Sequence, residues 1–133
     1  MRGSLAIFVF LTIAFAASLH AQDAAAVNPK TTHVTLDNEC VRVFEAALPL
    51  GRKENMHSHP TSIVYVIAGG TVRNHLPDGT TSEPVTLTAG QTLYRNPIIH
   101  WNENIGSTTI RLIVVELKPS DPKPADTKPT TLR

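Results

Sequence analysis

The feature that most constrains the fold is a succession of short β-type segments, separated by turn signals, between residues 31 and 117. Segments 62–68 and 108–117 are rich in apolar β-branched residues, which is typical of central strands. The turn at 69–70 is Gly-Gly, and the Pro-Asp-Gly-Thr sequence at 77–80 is a strong hairpin signal because Asp-Gly tolerates positive φ. No convincing helical period follows residue 21. The pattern predicts an all-β barrel or sandwich.

The length of 133 residues allows one domain with a modest core. Residues 1–21 have the layout of a secretory signal peptide: Arg2 in a basic start, an apolar run at 5–17, and small residues near the cleavage point. An uncleaved membrane anchor is the alternative, although the run is too short to span a bilayer. We expect 22–30 to be a flexible leader, 31–117 the folded domain, and 118–133, rich in Pro, Lys, Asp and Thr, a disordered tail.

Charge and cysteine content exclude several classes of partner. The chain carries a formal net charge of +1, and removing residues 1–21 takes away Arg2 and no acidic residue, which leaves a neutral mature chain. A neutral chain predicts no binding to nucleic acid or, after signal cleavage, to a membrane. The signal peptide predicts a periplasmic or secreted location. Cys40 is the only cysteine, so no internal disulfide forms. We interpret it as a small buried residue at the start of a strand, although it could cross-link two chains.

Histidine spacing predicts a metal site. His57 and His59 stand at i and i+2, so in an extended strand both side chains leave the same face, with Cα atoms roughly 6.5–7 Å apart. His100, on a different strand, is the candidate third ligand. Three neutral imidazoles suit iron, manganese, copper, nickel or zinc and leave positions open for water or substrate. Surface histidines on a loop are the alternative, and we interpret His33 and His75 as exposed residues outside the site.

The first histidine stretch resembles the first motif of the cupin superfamily, a group of small β-barrels. That motif reads G-x5-H-x-H-x3,4-E-x6-G, and this chain matches it with Gly51, His57 and His59, while Gly70 falls at the closing glycine. The glutamate of the motif would fall at Ile63, which cannot bind a metal.

The second stretch resembles the second cupin motif, G-x5-P-x-G-x2-H-x3-N. Gly90, His100 and Asn104 match it, whereas Asn96–Pro97 replaces a clean P-x-G. The resemblance spans about residues 31–117. It implies a single cupin domain, that is, a double-stranded β-helix or jelly roll, and it allows a homodimer because similar proteins often pair through their sheets.

The missing carboxylate affects the expected chemistry. A divalent ion held by three histidines alone keeps its full charge, is more Lewis acidic, and can better hold an anionic bidentate substrate. This ligand set is similar to that of β-diketone-cleaving and thiol dioxygenases, which favours Fe(II), with Mn, Ni, Zn or Cu as alternatives. Glu45, Glu54 and Glu103 are potential substitute carboxylates, but strand alternation from His100 turns Glu103 outward.

Two further positions could act on a bound small molecule. If 60–61 adds no irregularity, Tyr65 shares a face with His57 and His59, where its hydroxyl could orient substrate or donate a proton, and packing in the core is its alternative role. Of Tyr94 and Arg95, whichever points inward could meet an anionic ligand.

We therefore expect a metal-dependent, dioxygenase-like enzyme. The alternatives are a non-catalytic periplasmic ligand-binding or sensing protein, a barrel that has lost its metal, and a non-redox metal enzyme such as an isomerase.

Overall fold

A computed structural model describes residues 22–119, which form one short helix and nine strands. The signal peptide expected at 1–21 and residues 120–133 of the expected tail lie outside the described residues. The elements are α1 (Ala24–Val27), β1 (Thr32–Asp37), β2 (Val41–Leu48), β3 (His57–His59), β4 (Ser62–Ala68), β5 (Gly70–His75), β6 (Val85–Leu87), β7 (Thr92–Arg95), β8 (Ile98–Asn104) and β9 (Ile110–Leu117).

The strands make two antiparallel sheets that face each other. One has five strands in the order β1-β2-β9-β4-β7, and the other has four in the order β3-β8-β5-β6. Most neighbours in each sheet are distant in sequence, as in a jelly roll, where the chain passes repeatedly from one sheet to the other. The prediction of an all-β, single-domain barrel is confirmed.

Apolar side chains from both sheets face the interior between them. In β4 the alternation is plain: Val64 and Val66 are 8% and 0% exposed, whereas Tyr65 between them is 45% exposed. This is the period of two that a strand imposes when one face is buried. Two groups of buried apolar residues result, one formed by Leu48, Val66, Val72, Leu87 and Ile110, and the other by Ala24, Phe44, Val64 and Val114.

The chain changes sheets between β3 and β4. His57–His59 pairs with β8 in the four-stranded sheet, and Ser62–Ala68 pairs with β7 and β9 in the five-stranded sheet. Only Pro60 and Thr61 lie between the two strands. The inward parity of β3 therefore does not carry over into β4, because each strand takes its orientation from its own sheet.

The segment expected to be a flexible leader is folded against the barrel instead. Asp23 caps α1 by accepting a hydrogen bond from the N–H of Ala26 (2.9 Å), and its carboxylate forms an ion pair with Arg42. Ala24 and Asn28 are 4% and 7% exposed. A helix of four residues is too short to show a helical period, so the sequence showed no sign that this segment packs against the barrel.

Cys40 is exposed, which corrects its interpretation as a buried residue. The side-chain oxygen of Asn38 accepts hydrogen bonds from the N–H groups of Cys40 and Val41, both at 2.9 Å. This Asx-type turn holds Cys40 just before the first paired residue of β2.

Among residues 22–119, no helix is long and apolar enough to cross a membrane.

Candidate metal centre

Two neighbouring strands bring the three predicted histidines together. His57 and His59 lie on β3, and His57 is paired directly with His100 on the antiparallel strand β8. Residues opposite each other in such a pair, and residues two apart on one strand, point to the same face. His57 and His100 are 2% and 8% exposed. The predicted juxtaposition of the three side chains is confirmed.

The ring nitrogens of the three histidines converge. The Nε2 atoms of His57 and His59 are 3.0 Å apart, and one nitrogen from each of the three rings lies within 4.8 Å of the others. The centroid distances from the His100 ring are 4.9 Å to His57 and 5.4 Å to His59. Three nitrogens at this spacing can bind one ion at a distance of roughly 2.0–2.1 Å, which is typical of metal–imidazole bonds.

Each histidine is oriented by a separate oxygen on the far side of its ring. The Nδ1–H of His57 donates to the backbone oxygen of Asn55 (2.7 Å), that of His59 to Oε1 of Glu116 (2.7 Å), and that of His100 to Oδ1 of Asn74 (3.2 Å). With the proton on Nδ1, the lone pair of each imidazole is on Nε2. Acceptors behind the ligand ring are what metal-binding histidines usually have, because they fix the tautomer and the ring orientation.

The N-terminal segment supports this arrangement. The side-chain oxygen of Asn28 accepts a hydrogen bond from the N–H of Asn55 (2.8 Å), and the side-chain amide of Asn55 donates to the backbone oxygen of Val27 (2.6 Å). Asn55 supplies the carbonyl that holds His57. The segment that precedes β1 therefore helps to place the first histidine.

Burial disfavours protonation of two of the three histidines, His57 and His100. The pKa of His100 is lowered from 6.5 to about 3, chiefly by burial and then by the positive charge of protonated His57, His59 and Arg95. The pKa of His57 is also lowered, chiefly by burial, although the Glu54 carboxylate opposes the shift. Neutral imidazoles are the form that binds metals. Among the described residues, the Nε2 atom of His100 is a buried polar atom without a hydrogen-bond partner. A metal ion bound to this nitrogen would supply the missing partner. The donor set thus fits a divalent transition metal.

The triad lies in the wall of a cavity of about 360 Å³ between the sheets. Most of the wall is apolar, and the ring of Phe44 stacks on His59 with an interplanar angle of 16°. The apolar wall is formed mainly by Phe44, Val64, Val72, Leu87, Leu93, Ile110, Leu112 and Val114. Such a cavity can hold a small molecule beside the histidines.

Both residues considered for an anionic ligand line this cavity. Arg95 follows the inward-facing Leu93 by two residues and is opposite the buried Ser62, whereas Tyr94 is 64% exposed and lies at the edge. Within residues 22–119, no carboxylate lies within 4.0 Å of the Arg95 guanidinium. It is the one basic side chain, other than histidine, in the described cavity wall.

The structure corrects the role expected for Tyr65. Its side chain is on the outer face of the five-stranded sheet, opposite Thr92 and Ile113, and it does not line the cavity. The expectation required continuous parity from His57 to Tyr65. The change of sheet at Pro60 and Thr61 breaks that parity, so Tyr65 cannot act on a ligand beside the triad.

Among the described residues, His33, His75 and Glu103 lie away from the triad. His75 stacks on Trp101 with ring centroids 3.6 Å apart, and its Nε2 is 3.2 Å from Glu103, which confirms the outward orientation expected for Glu103. Glu103 also pairs with Lys53 at 3.4 Å. His33 lies on the edge strand β1 and is exposed.

The sequence did not single out the oxygens behind the histidines. Glu116 offered one signal, because it is a charged residue at an inward position of the apolar strand β9 and is 5% exposed. Asn74 and Asn28 offered none, since asparagines in turn-rich segments are usually exposed.

The fold and the triad define a class of protein: a single-domain double-stranded β-helix with three convergent histidines in its interior. No protein-family model and no curated protein matches the chain. Solved structures match it. A cupin domain from Bordetella pertussis Tohama I is 27% identical, with 66% of this chain and 92% of that chain covered and a TM-score of 0.59.

Two other solved structures have the same fold. An RmlC-like cupin family protein with a double-stranded β-helix fold from Methanocaldococcus jannaschii is 24% identical, covers 67% of this chain and 82% of its own, and has a TM-score of 0.51. A cupin-like protein from Thermotoga maritima is 16% identical, covers 65% of this chain and 67% of its own, and has a TM-score of 0.51. The protein has the cupin fold, in agreement with the sequence resemblance.

Proposed function

We propose that the protein is a metal-dependent enzyme that acts on a small molecule in the cavity, with one divalent ion on His57, His59 and His100. The observation that carries this proposal is the convergence of ring nitrogens from three histidines on the wall of an apolar cavity, with an oxygen acceptor behind each ring. A bound ion would supply Lewis acidity and, if it is iron, the electron chemistry needed to activate O2. We favour Fe(II) and dioxygenase-type chemistry.

The contribution of the chain is to hold the ligands and bind the substrate. The hydrogen bonds that the Nδ1–H groups donate fix the rings before a metal arrives, and so reduce the entropy lost on binding. Leu93 and Phe44 are part of an apolar wall that would exclude water from the reacting atoms. The Arg95 guanidinium would attract a negatively charged group of the substrate. The substrate class that fits is a small anion with an apolar body.

Metal analysis of the purified, untagged protein tests the site. We expect about one equivalent of a transition metal in the wild type, and a near-complete loss in the His57→Ala/His100→Ala variant. A His33→Ala/His75→Ala variant removes two histidines outside the triad and should retain the metal. Absence of metal from the wild type, even after incubation with Fe(II), Mn(II) and Zn(II), would contradict the proposal.

Oxygen consumption tests the chemistry. The Fe(II)-loaded protein should consume O2 with at least one member of panels of β-diketones, thiols or catechol-like compounds. Arg95→Gln should raise the KM for an anionic substrate more than it lowers kcat, because it removes a charge that binds substrate rather than a reacting group. Turnover without oxygen would instead favour a non-redox enzyme such as an isomerase.

A second candidate function is non-catalytic binding or sensing of a small ligand. The outward position of Tyr65 favours it, since the side chain expected to donate a proton is absent from the site. Ligands that raise the melting temperature and are recovered unchanged, with no O2 consumed, would support this function over catalysis.

We also propose that the protein is exported. The layout of residues 1–21 supports this proposal. Cell fractionation and N-terminal sequencing test it: we expect a periplasmic or secreted protein that begins near Gln22. A full-length chain in the membrane fraction would favour an uncleaved anchor.

A further inference from the structure

Glu54 is held beside the triad from an unexpected part of the chain. It lies in the loop between β2 and β3, where its N–H donates to the backbone oxygen of Asn102 (2.9 Å). Its Oε2 atom accepts hydrogen bonds from the side-chain amide (2.7 Å) and the N–H (3.2 Å) of Asn102. The side chain is 12% exposed. These contacts hold the Glu54 carboxylate against Asn102 of β8, two residues from His100.

The carboxylate faces the metal-binding side of His57. Its Oε2 is 3.9 Å from the Nε2 atom of His57. Two donor atoms that each lie about 2.1 Å from one ion are about 3 Å apart at a right angle and about 4 Å apart when opposite. The observed separation from His57 is within that range. The group whose ligand atoms all lie within 4.8 Å of one another contains the three histidines without Glu54, so its carboxylate must move towards His59 and His100 to join them on one ion.

No other described carboxylate has this position. Glu116 contacts His59 through Nδ1, on the side away from the convergent nitrogens. Glu45 pairs with Arg111 at 3.8 Å on the surface. Ile63, where the cupin motif has its glutamate, is opposite Tyr94 on the outer face. Among residues 22–119, Glu54 is the one acidic residue in the cavity wall.

We propose that Glu54 is the fourth protein ligand of the metal and replaces the glutamate that the first motif lacks. The carboxylate comes from three residues before His57 instead of from the strand that follows His59. The inference rests on the proposed metal site and deepens it. A bound carboxylate reduces the net charge of a divalent site by one, so the ion is a weaker Lewis acid than three histidines alone would leave. One coordination position fewer is open to substrate.

Cobalt binding tests the proposal without an activity assay. Metal-free wild type, Glu54→Gln and the control Glu45→Gln are titrated with Co(II) against a competing chelator, and the d–d absorption of each complex is recorded. Glutamine keeps the size of the side chain and an acceptor for Asn102. We expect Glu54→Gln to bind Co(II) at least tenfold more weakly, with a changed d–d spectrum, and Glu45→Gln to match the wild type. Circular dichroism of each variant checks folding.

A second measurement needs no variant. The infrared difference spectrum of the wild type on addition of Zn(II) should show a shift of carboxylate stretching bands. Wild-type affinity and an unchanged spectrum in folded Glu54→Gln, or no carboxylate shift in the infrared, would overturn the inference while leaving the three-histidine site intact; Glu54 would then only tie its loop to β8. If the wild type binds no metal, the proposed function fails as well.

Discussion

Single side chains in the candidate metal centre show how burial and hydrogen bonding together set the state of an imidazole. The three imidazoles are held close together in an apolar interior, where a charge would be poorly solvated. The oxygen of Asn55, Glu116 or Asn74 behind each ring stabilises an Nδ1–H tautomer. For His57 and His100, burial also lowers the pKa, so both side chains favour the neutral form that can bind a metal.

We expect the metal-free protein to lose stability as the pH falls from about 6.5 towards 3. The pKa of His100 is 6.5 before burial and about 3 in the folded chain, so the unfolded chain binds more protons in that window and the free energy of unfolding rises with pH. The slope per histidine is at most about 1.4 kcal/mol per pH unit. Urea unfolding at several pH values measures it.

Histidine variants separate the contribution of His100 to the pH dependence of stability from the contribution of the carboxylates. His100→Gln should flatten the pH dependence between about 6.5 and 4, and His33→Gln should leave it unchanged. Equal slopes in the wild type and His100→Gln would show that His100 is not buried in its neutral form.

Glu116→Gln should weaken metal binding by about tenfold, because an uncharged acceptor behind His59 makes its imidazole a poorer donor. The site is well placed for this test, since the Glu116 side chain is 7% exposed and accepts from His59 at 2.7 Å. Chelator competition gives the affinity. The matched variant Glu45→Gln should have no effect, and a wild-type affinity in Glu116→Gln would show that the contact does not tune the ligand.

At the scale of elements, the end of β8 ties three strands together. Asn104 is 1% exposed, and its side-chain amide donates to the backbone oxygens of Leu48 and Thr108, both at 2.8 Å. Its Oδ1 accepts from the N–H of Gly106 at 3.0 Å. One residue thus joins the ends of β2 and β8 to the turn before β9, four residues after His100.

We expect Asn104→Ala to lower the free energy of unfolding by about 3 kcal/mol, since buried backbone groups lose their partners. Chemical denaturation measures the change. Thr109→Ala, at an exposed position nearby, should cost less than about 0.5 kcal/mol. Similar values for the two variants would mean that water replaces the amide of Asn104.

At the scale of the whole molecule, the N-terminal segment is part of the barrel and contacts the loop that holds the candidate metal centre. Ala24 contributes to the cavity wall, Asp23 is paired with Arg42, and Asn28 braces the loop that holds His57. Stability and metal binding should therefore depend on residues that precede the first strand. The homodimer allowed by the sequence resemblance stays a prediction, which light scattering checks.

A chain that begins at residue 31 should melt about 5 °C or more below one that begins at residue 22, and should bind metal more weakly. The physical reason is the loss of the Asp23 ion pair and of the Asn28 hydrogen bond to Asn55. Calorimetry and chelator competition give the two values. The longer chain with Lys30→Ala, an exposed position, is the control, and equal behaviour of the two lengths would contradict a role for the segment.

The sequence by itself determined the features that depend on local periodicity. Alternating apolar residues and turn signals predicted an all-β chain, and the spacing of His57 and His59 placed both on one face of a strand. Both follow from the two-residue period of an extended backbone, which needs no knowledge of distant neighbours. His100 was proposed as the third ligand on a separate strand, and the resemblance to the second cupin motif agreed with that proposal.

Only the tertiary structure decided what the sheets do to these local elements. The change of sheet after His59 turned Tyr65 outward, and the packing of the two sheets brought Glu116 on β9 to His59 on β3, 57 residues away in the sequence. The short segment around Asn28 is held by contacts with the loop before β3, which is distant in sequence. Such contacts depend on strand order and on the sheet that each strand joins, which are set by packing between elements far apart in the chain and leave no local pattern in the sequence.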